Sequence, residues 1–106
     1  MSTQWTKTTR VRVTQDTELA SADGYRVAIG DTQYGNITLT LPAHAADEGV
    51  VEILKEHASN TLTVDCAGSD TINGQDVDVE MSDIGESLLL IPGNSEWLCF
   101  SPLTIS

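Results

Sequence analysis

The sequence predicts an all-β fold: a single antiparallel β-sandwich or barrel-like domain with a short N-terminal arm, expected to work as an oligomer. Three observations carry that expectation. From Asn60 to Phe100, four short strand-like pieces are separated by clusters of Gly, Asn, Asp, Ser and Pro. Within the pieces apolar and polar residues alternate, Leu62 and Val64 against Thr61, Thr63 and Asp65, and Val77, Val79 and Met81 against Asp76, Asp78 and Glu80, so each strand has a dry face and a wet one. The segments AGSD and INGQD between them supply the positive-φ or Asx-type turns that tight reversals need.

Taken in order, residues 1–9 are polar and rich in Thr, and read as an arm ahead of a domain over residues 10–106. Trp5 is the exception in the arm. A large aromatic there either anchors in a partner's pocket or packs back on its own domain. Arg10 to Thr14 alternates with Val11 and Val13 inward. Asp16 to Asp23 fits a turn or a single helical turn. Tyr25 to Ile29 is a strand with Tyr25, Val27 and Ile29 on one side and Arg26 facing outward. Asp31 to Asn36 is a loop with Tyr34 and Gly35 at its tip. Ile37 to Leu41 alternates cleanly, and Pro42 ends the ladder by removing a donor. In Ala43 to Ser59, the residues Val50, Val51, Ile53 and Leu54 fit a helix stripe or a strand apolar on both faces; the β-branched residues and the sharp start at Gly49 favour the strand.

Two pieces near the end break the alternation. Leu88 to Ile91 is apolar throughout, as in a strand covered on both faces, and Trp97 and Cys99 alternate with Leu98 and Phe100, which are apolar too. The second face must be covered by the N-terminal arm or by another subunit, and association is the simpler expectation. Trp5, Trp97, Leu98 and Phe100 are therefore the candidate docking residues.

At 106 residues the chain buries about 60 to 70 per cent of the surface that its unfolded form exposes. It needs no metal or disulfide to fold; Cys66 and Cys99 are either one bridge or two buried thiols. MSTQWTKTTR lacks the apolar run of a leader, and Leu88 to Ile91 is too short to cross a bilayer, so a soluble protein with no membrane partner is expected. The net charge of −11, from 16 acidic and 5 basic residues, argues against nucleic acid, whose affinity rests on neutralised phosphates. Such a surface is either ordinary solvation or an adaptation to high salt, where the Debye length falls to roughly 3 Å at 1 M; a halophilic chain would loosen on dialysis into low salt.

The order of motifs resembles the small β modules of fibre, tail-tip and capsid-surface proteins of tailed viruses. Ile37 to Pro42 (ITLTLP), Gly49 to Lys55 (GVVEILK), Asn60 to Asp65 (NTLTVD), Gly68 to Gly74 (GSDTING), Glu86 to Ile91 (ESLLLI) and Gly93 to Phe100 (GNSEWLCF), with Tyr25 to Asp31 (YRVAIGD), carry that likeness over roughly three quarters of the chain. The resemblance implies a virion-surface protein. With one module, an arm and no shaft-forming repeat, it implies a capsid decoration, turret or head-fibre component, a homotrimer docked on the major capsid protein or another virion protein. The alternative is a receptor-binding module at a tail tip or fibre end. For that reading, Tyr34 with Asp31, Gln33 and Asn36 is the candidate loop for a host glycan or protein, an aromatic stacking on a ring beside carboxylates and amides.

Catalytic chemistry finds no footing. Asp70 to Asp76 fails the calcium-loop pattern, because Ile72 stands where an oxygen ligand is needed. An irregular site among Asp65, Asp70, Asp76 and Asp78 competes with a hydrated acidic face. His44 and His57 lack partners at ligand spacing and read as loop residues. Asp76, Asp78 and Glu80 line one strand face without a cleft. No enzyme, metal or cofactor is expected.

Overall fold

The structure is a computed structural model that describes residues 8–21, 24–45, 48–75 and 78–100. Trp5, Asp76 and Val77 lie outside the described residues. Among those described the chain is all strand: β1 Thr8–Val13, β2 Thr17–Glu18, β3 Tyr25–Gly30, β4 Ile37–Thr40, β5 Val51–Lys55, β6 Leu62–Asp65, β7 Val79–Met81, β8 Ser87–Pro92 and β9 Trp97–Phe100. The ambiguous segment around Val51 is thus a strand. β2 stands within the stretch expected to be a turn.

Two sheets share these strands, one in the order β1-β3-β5-β8-β9 and one in the order β2-β4-β6-β7. The chain crosses from one sheet to the other at every step from β1 to β6. Each strand therefore lies parallel to the strand two before it, Thr8 beside Tyr25, Arg26 beside Val51, Thr17 beside Leu39 and Ile37 beside Leu62. This is a winding of three coils. Only β5–β8, β6–β7 and β8–β9 pair antiparallel, and they close the far end of the stack.

The antiparallel arrangement expected from the turn residues is therefore corrected to mixed sheets. The reason is that Asn, Asp and Gly suit a coil corner as well as a hairpin. Asp16 Oδ1 accepts from the Thr38 amide at 2.8 Å and Asn36 Oδ1 from the Thr61 amide at 2.9 Å, so each corner side chain ties its coil to the next one. One reversal is tight in the expected manner: at Ile72–Gln75, Asn73 and Gly74 take φ of 52° and 78°, and Ile72 and Gln75 exchange backbone hydrogen bonds of 2.9 and 3.0 Å.

The inner faces of both sheets meet in one core built from Val13, Ala28, Val51, Ile53, Leu88, Leu90 and Trp97 on one side and Ile37, Leu39, Leu62, Val64 and Met81 on the other. Space is tight at β3. A Cβ on Gly30 would lie 2.6 Å from Leu62 Cδ2, which is why this inward position is a glycine. The same parity overturns the expected outward Arg26. Arg26 points inward and is buried; its guanidinium donates to Glu48 Oε2 at 3.1 Å and to the Ala20 carbonyl, and Ser21 Oγ donates to the other Glu48 oxygen at 2.7 Å. A buried cation persists where carboxylate and carbonyl oxygens hold it, as here at both terminal nitrogens, while its Nε has no partner among the described residues. Lys55 obeys the same rule, its ammonium donating to the carbonyls of His57 and Ser59 in the following corner.

Candidate functional site

The outer faces of the two sheets differ. Outward positions on the four-stranded sheet are Glu18, Thr38, Thr40, Thr63, Asp65 and Glu80, hydroxyls and carboxylates that water solvates readily. The five-stranded sheet turns Tyr25, Val27, Ile29, Leu54, Leu89, Ile91, Leu98 and Phe100 outward, since the opposite parity on each strand supplies the core. The strand registers join these residues in two groups, one on β3–β5 and one on β8–β9, with Glu52 opposite Leu89 and Ser87 opposite Leu54 where the groups meet. Leu89 neighbours Phe100, Ile91 neighbours Leu98, and Ile29 neighbours Leu54. These residues lie on four strands, β3, β5, β8 and β9, which at about 4.8 Å between strands make a band about 14 Å wide, and β1 adds Arg10 and Arg12 beside it. Phe100 is 52% exposed at one margin and the aliphatic residues behind it are half-buried.

One carboxylate interrupts this face. Glu52 sits between Val27 and Leu89, and the Tyr25 hydroxyl donates to its Oε1 at 2.5 Å. That hydrogen bond, reinforced by burial and by the adjacent negative charge, pushes the Tyr25 phenol up to about 12. The contact satisfies one lone pair of Glu52 from within the face. At the β1 margin, Arg12 bridges Asp31 Oδ2 at 3.0 Å and Glu56 Oε1 at 2.5 Å.

The candidate docking residues separate accordingly. Leu98 and Phe100 lie on the apolar outer face, while Trp97, at 0% exposure, lies in the core with its ring edge-on to His44 at 6.1 Å between centroids. Trp97 is thus placed to hold the fold rather than to meet a partner. Val27, Ile29 and Leu54 join the face although the sequence reading did not single them out for docking. Their signal was available in the small inward partners Ala28 and Gly30, which mark the other parity of β3 as outward.

The loop candidates separate too. Asp31 is buried and accepts from the Gln33 side chain at 2.9 Å, the Gln33 amide at 3.2 Å and Arg12; these donors, Gln33 first, hold its carboxyl below the usual range. Asn36 Oδ1 is engaged by Thr61. Tyr34 remains, 81% exposed, beside a shallow groove of about 400 Å³ lined by Thr14, Gln15, Asp16, Gly35 and Asn36.

Cys66 and Cys99 are free thiols, and burial raises the Cys99 pKa. Among the described residues, no group of three or more His, Cys, Asp or Glu side chains is placed to hold a metal ion. The His44 ring approaches the Gly93 carbonyl at 2.8 Å, and its backbone amide donates to Asp70 at 2.7 Å. These are structural contacts of the corner beside Trp97. No protein-family model matches this chain, and no curated protein matches it.

Proposed function

We propose that the chain is a structural subunit of a tailed-virus particle, a capsid-surface decoration, turret or head-fibre component that sits as a homotrimer on the shell. The observation that carries this reading is the apolar outer face of the five-stranded sheet. An apolar face of this kind on a domain with an acidic, threonine-rich surface elsewhere marks a place for protein contact. The resemblance of the motif order to virion-surface modules adds to it, and a lattice of many shell copies would give weak individual contacts high avidity. Gel quantification of purified particles tests location: hundreds of copies support a capsid decoration, whereas about a dozen or fewer point to a tail tip. Leu89→Lys, which places a charge at the centre of the face, is expected to leave a folded protein that no longer attaches to particles. Normal attachment of that variant would remove the outer face from the account.

The second reading, a receptor-binding module, rests on Tyr34. An aromatic ring that stands clear of the surface beside Gln15, Asp16 and Asn36 has the composition of a sugar-stacking platform. Glycan-array binding lost on Tyr34→Ala would favour this reading over the first.

A further inference from the structure

Each sheet ends in an edge strand at both sides, and the four edges are not alike. The edge of β9 is occupied: the Asn73 amide donates to the Trp97 carbonyl at 2.8 Å, the Trp97 amide to Thr71 at 3.0 Å, and the Asn73 side chain binds both the amide and the carbonyl of Cys99. The edge at β2 is two residues long. Among the described residues, β1, with six residues, and β7 remain as edges with no further strand beside them. Unpaired edges of this kind are templates for strand addition.

The two edges match in charge and in parity. β1 reads Arg10-Val11-Arg12-Val13 and the β7 segment reads Asp78-Val79-Glu80-Met81. On both, the apolar residues point to the core side and the charged residues outward. Among the described residues Arg10 and Arg12 are also the only exposed cations, because Arg26 and Lys55 are buried. A chain with a net charge of −11 repels its copies over most of its surface, so β1 is where a second copy is attracted. Two copies of β1 would instead oppose Arg10 and Arg12 to each other, which disfavours a symmetric β1–β1 contact.

We infer that copies of this chain associate head to tail, the β1 edge of one pairing antiparallel with the β7 edge of the next. Arg10 then stands opposite Glu80, Val11 opposite Val79 and Arg12 opposite Asp78. Arg12 already holds Asp31 and Glu56, so Arg10–Glu80 is the deciding pair. The added strand also covers Val11, which is 42% exposed above an apolar cleft of about 230 Å³ lined by Thr9, Leu19, Ala20, Arg26 and Ala28. Contacts between two different surfaces close into rings when the rotation allows, and a three-fold ring requires this type of interface. The pairing does not depend on the particle reading, and it uses an edge rather than the outer face.

Sedimentation velocity on four samples tests it: wild type, Arg10→Glu, Glu80→Arg, and an equimolar mixture of the two variants. The wild type is expected to show species above the monomer that grow with concentration. Each variant alone is expected to associate about tenfold more weakly, as one opposite-charge pair becomes a like-charge pair. The mixture is expected to regain association, because one variant keeps Arg10, the other keeps Glu80, and the exchanged pair is again complementary. A monomeric wild type, variants that associate like wild type, or a mixture that sediments as separate monomers would each overturn the inference. Leu89→Lys serves as the control. It is expected to retain wild-type association, and losing it would assign self-contact to the outer face.

Discussion

Trp97→Ala tests whether the docking candidates divide as the structure places them. The Trp97 side chain has no exposed surface, and its neighbours are core residues of both sheets together with the His44 ring. Truncation of such a residue removes its transfer energy and leaves a cavity, a loss of about 3–5 kcal/mol. For a domain of this size that lowers the melting temperature by roughly 15–30 °C. Set against a total stability of about 5–15 kcal/mol, the variant retains a small margin or none. Trp97→Phe should lose less, about 1–2 kcal/mol, because it keeps most of the apolar volume and removes an indole N–H that has no partner among the described residues. Phe100→Ala, on the exposed margin, should lose about 1 kcal/mol or less. Thermal unfolding followed by circular dichroism, at one fixed protein concentration so that association does not shift the midpoints, reads all three. If Trp97→Ala melts within a few degrees of wild type, or Phe100→Ala falls as far as Trp97→Ala does, the assignment of Trp97 to the core is wrong.

Three further outcomes follow from single contacts. Gly49→Ala would place a Cβ 2.1 Å from the Gly24 carbonyl oxygen, and since backbone must move to relieve it, urea unfolding should show a loss of about 3 kcal/mol. Glu48→Ala strands the buried Arg26 guanidinium and should cost about 3–5 kcal/mol in the same assay. Tyr25, with its folded pKa near 12 against about 10 in the unfolded chain, contributes stability that is complete below pH 10 and disappears as pH rises to 12. The wild-type advantage over Tyr25→Phe should therefore shrink across that interval, and an advantage independent of pH would exclude the Glu52 hydrogen bond as its source.

Strand positions were legible because alternation is a local property. Ile37, Leu39, Leu62, Val64 and Met81 face the core as their spacing requires, and Trp97–Phe100 begins and ends where the sequence places it. Pairing direction was not legible. Asp16 and Asn36 bind amides in the next coil, 22 and 25 residues away, and no local pattern separates that use from a hairpin turn. On β3 the outward residues Tyr25, Val27 and Ile29 are larger and more apolar than inward Ala28 and Gly30, so side-chain size alone points the wrong way; Leu62, packed against Gly30, sets the limit. β2 was missed because two residues carry no period. Of the site, the surplus of apolar residues on β8 and β9 was readable. Its extension to Val27, Ile29 and Leu54 required knowing that β3, β5 and β8 are neighbours.

The coil-by-coil winding makes the protein's length an integer quantity. The sequence offset between stacked strands is 25 residues in both sheets at the last step, from Arg26 to Val51 and from Ile37 to Leu62. A further segment of that size, inserted between β4 and β5 and carrying the same inward residues, would raise the stack by about 4.8 Å and leave the Arg10 margin and the Glu80 margin as they are. Spacers of graded height, all with the same two ends, are thus reachable by duplication alone.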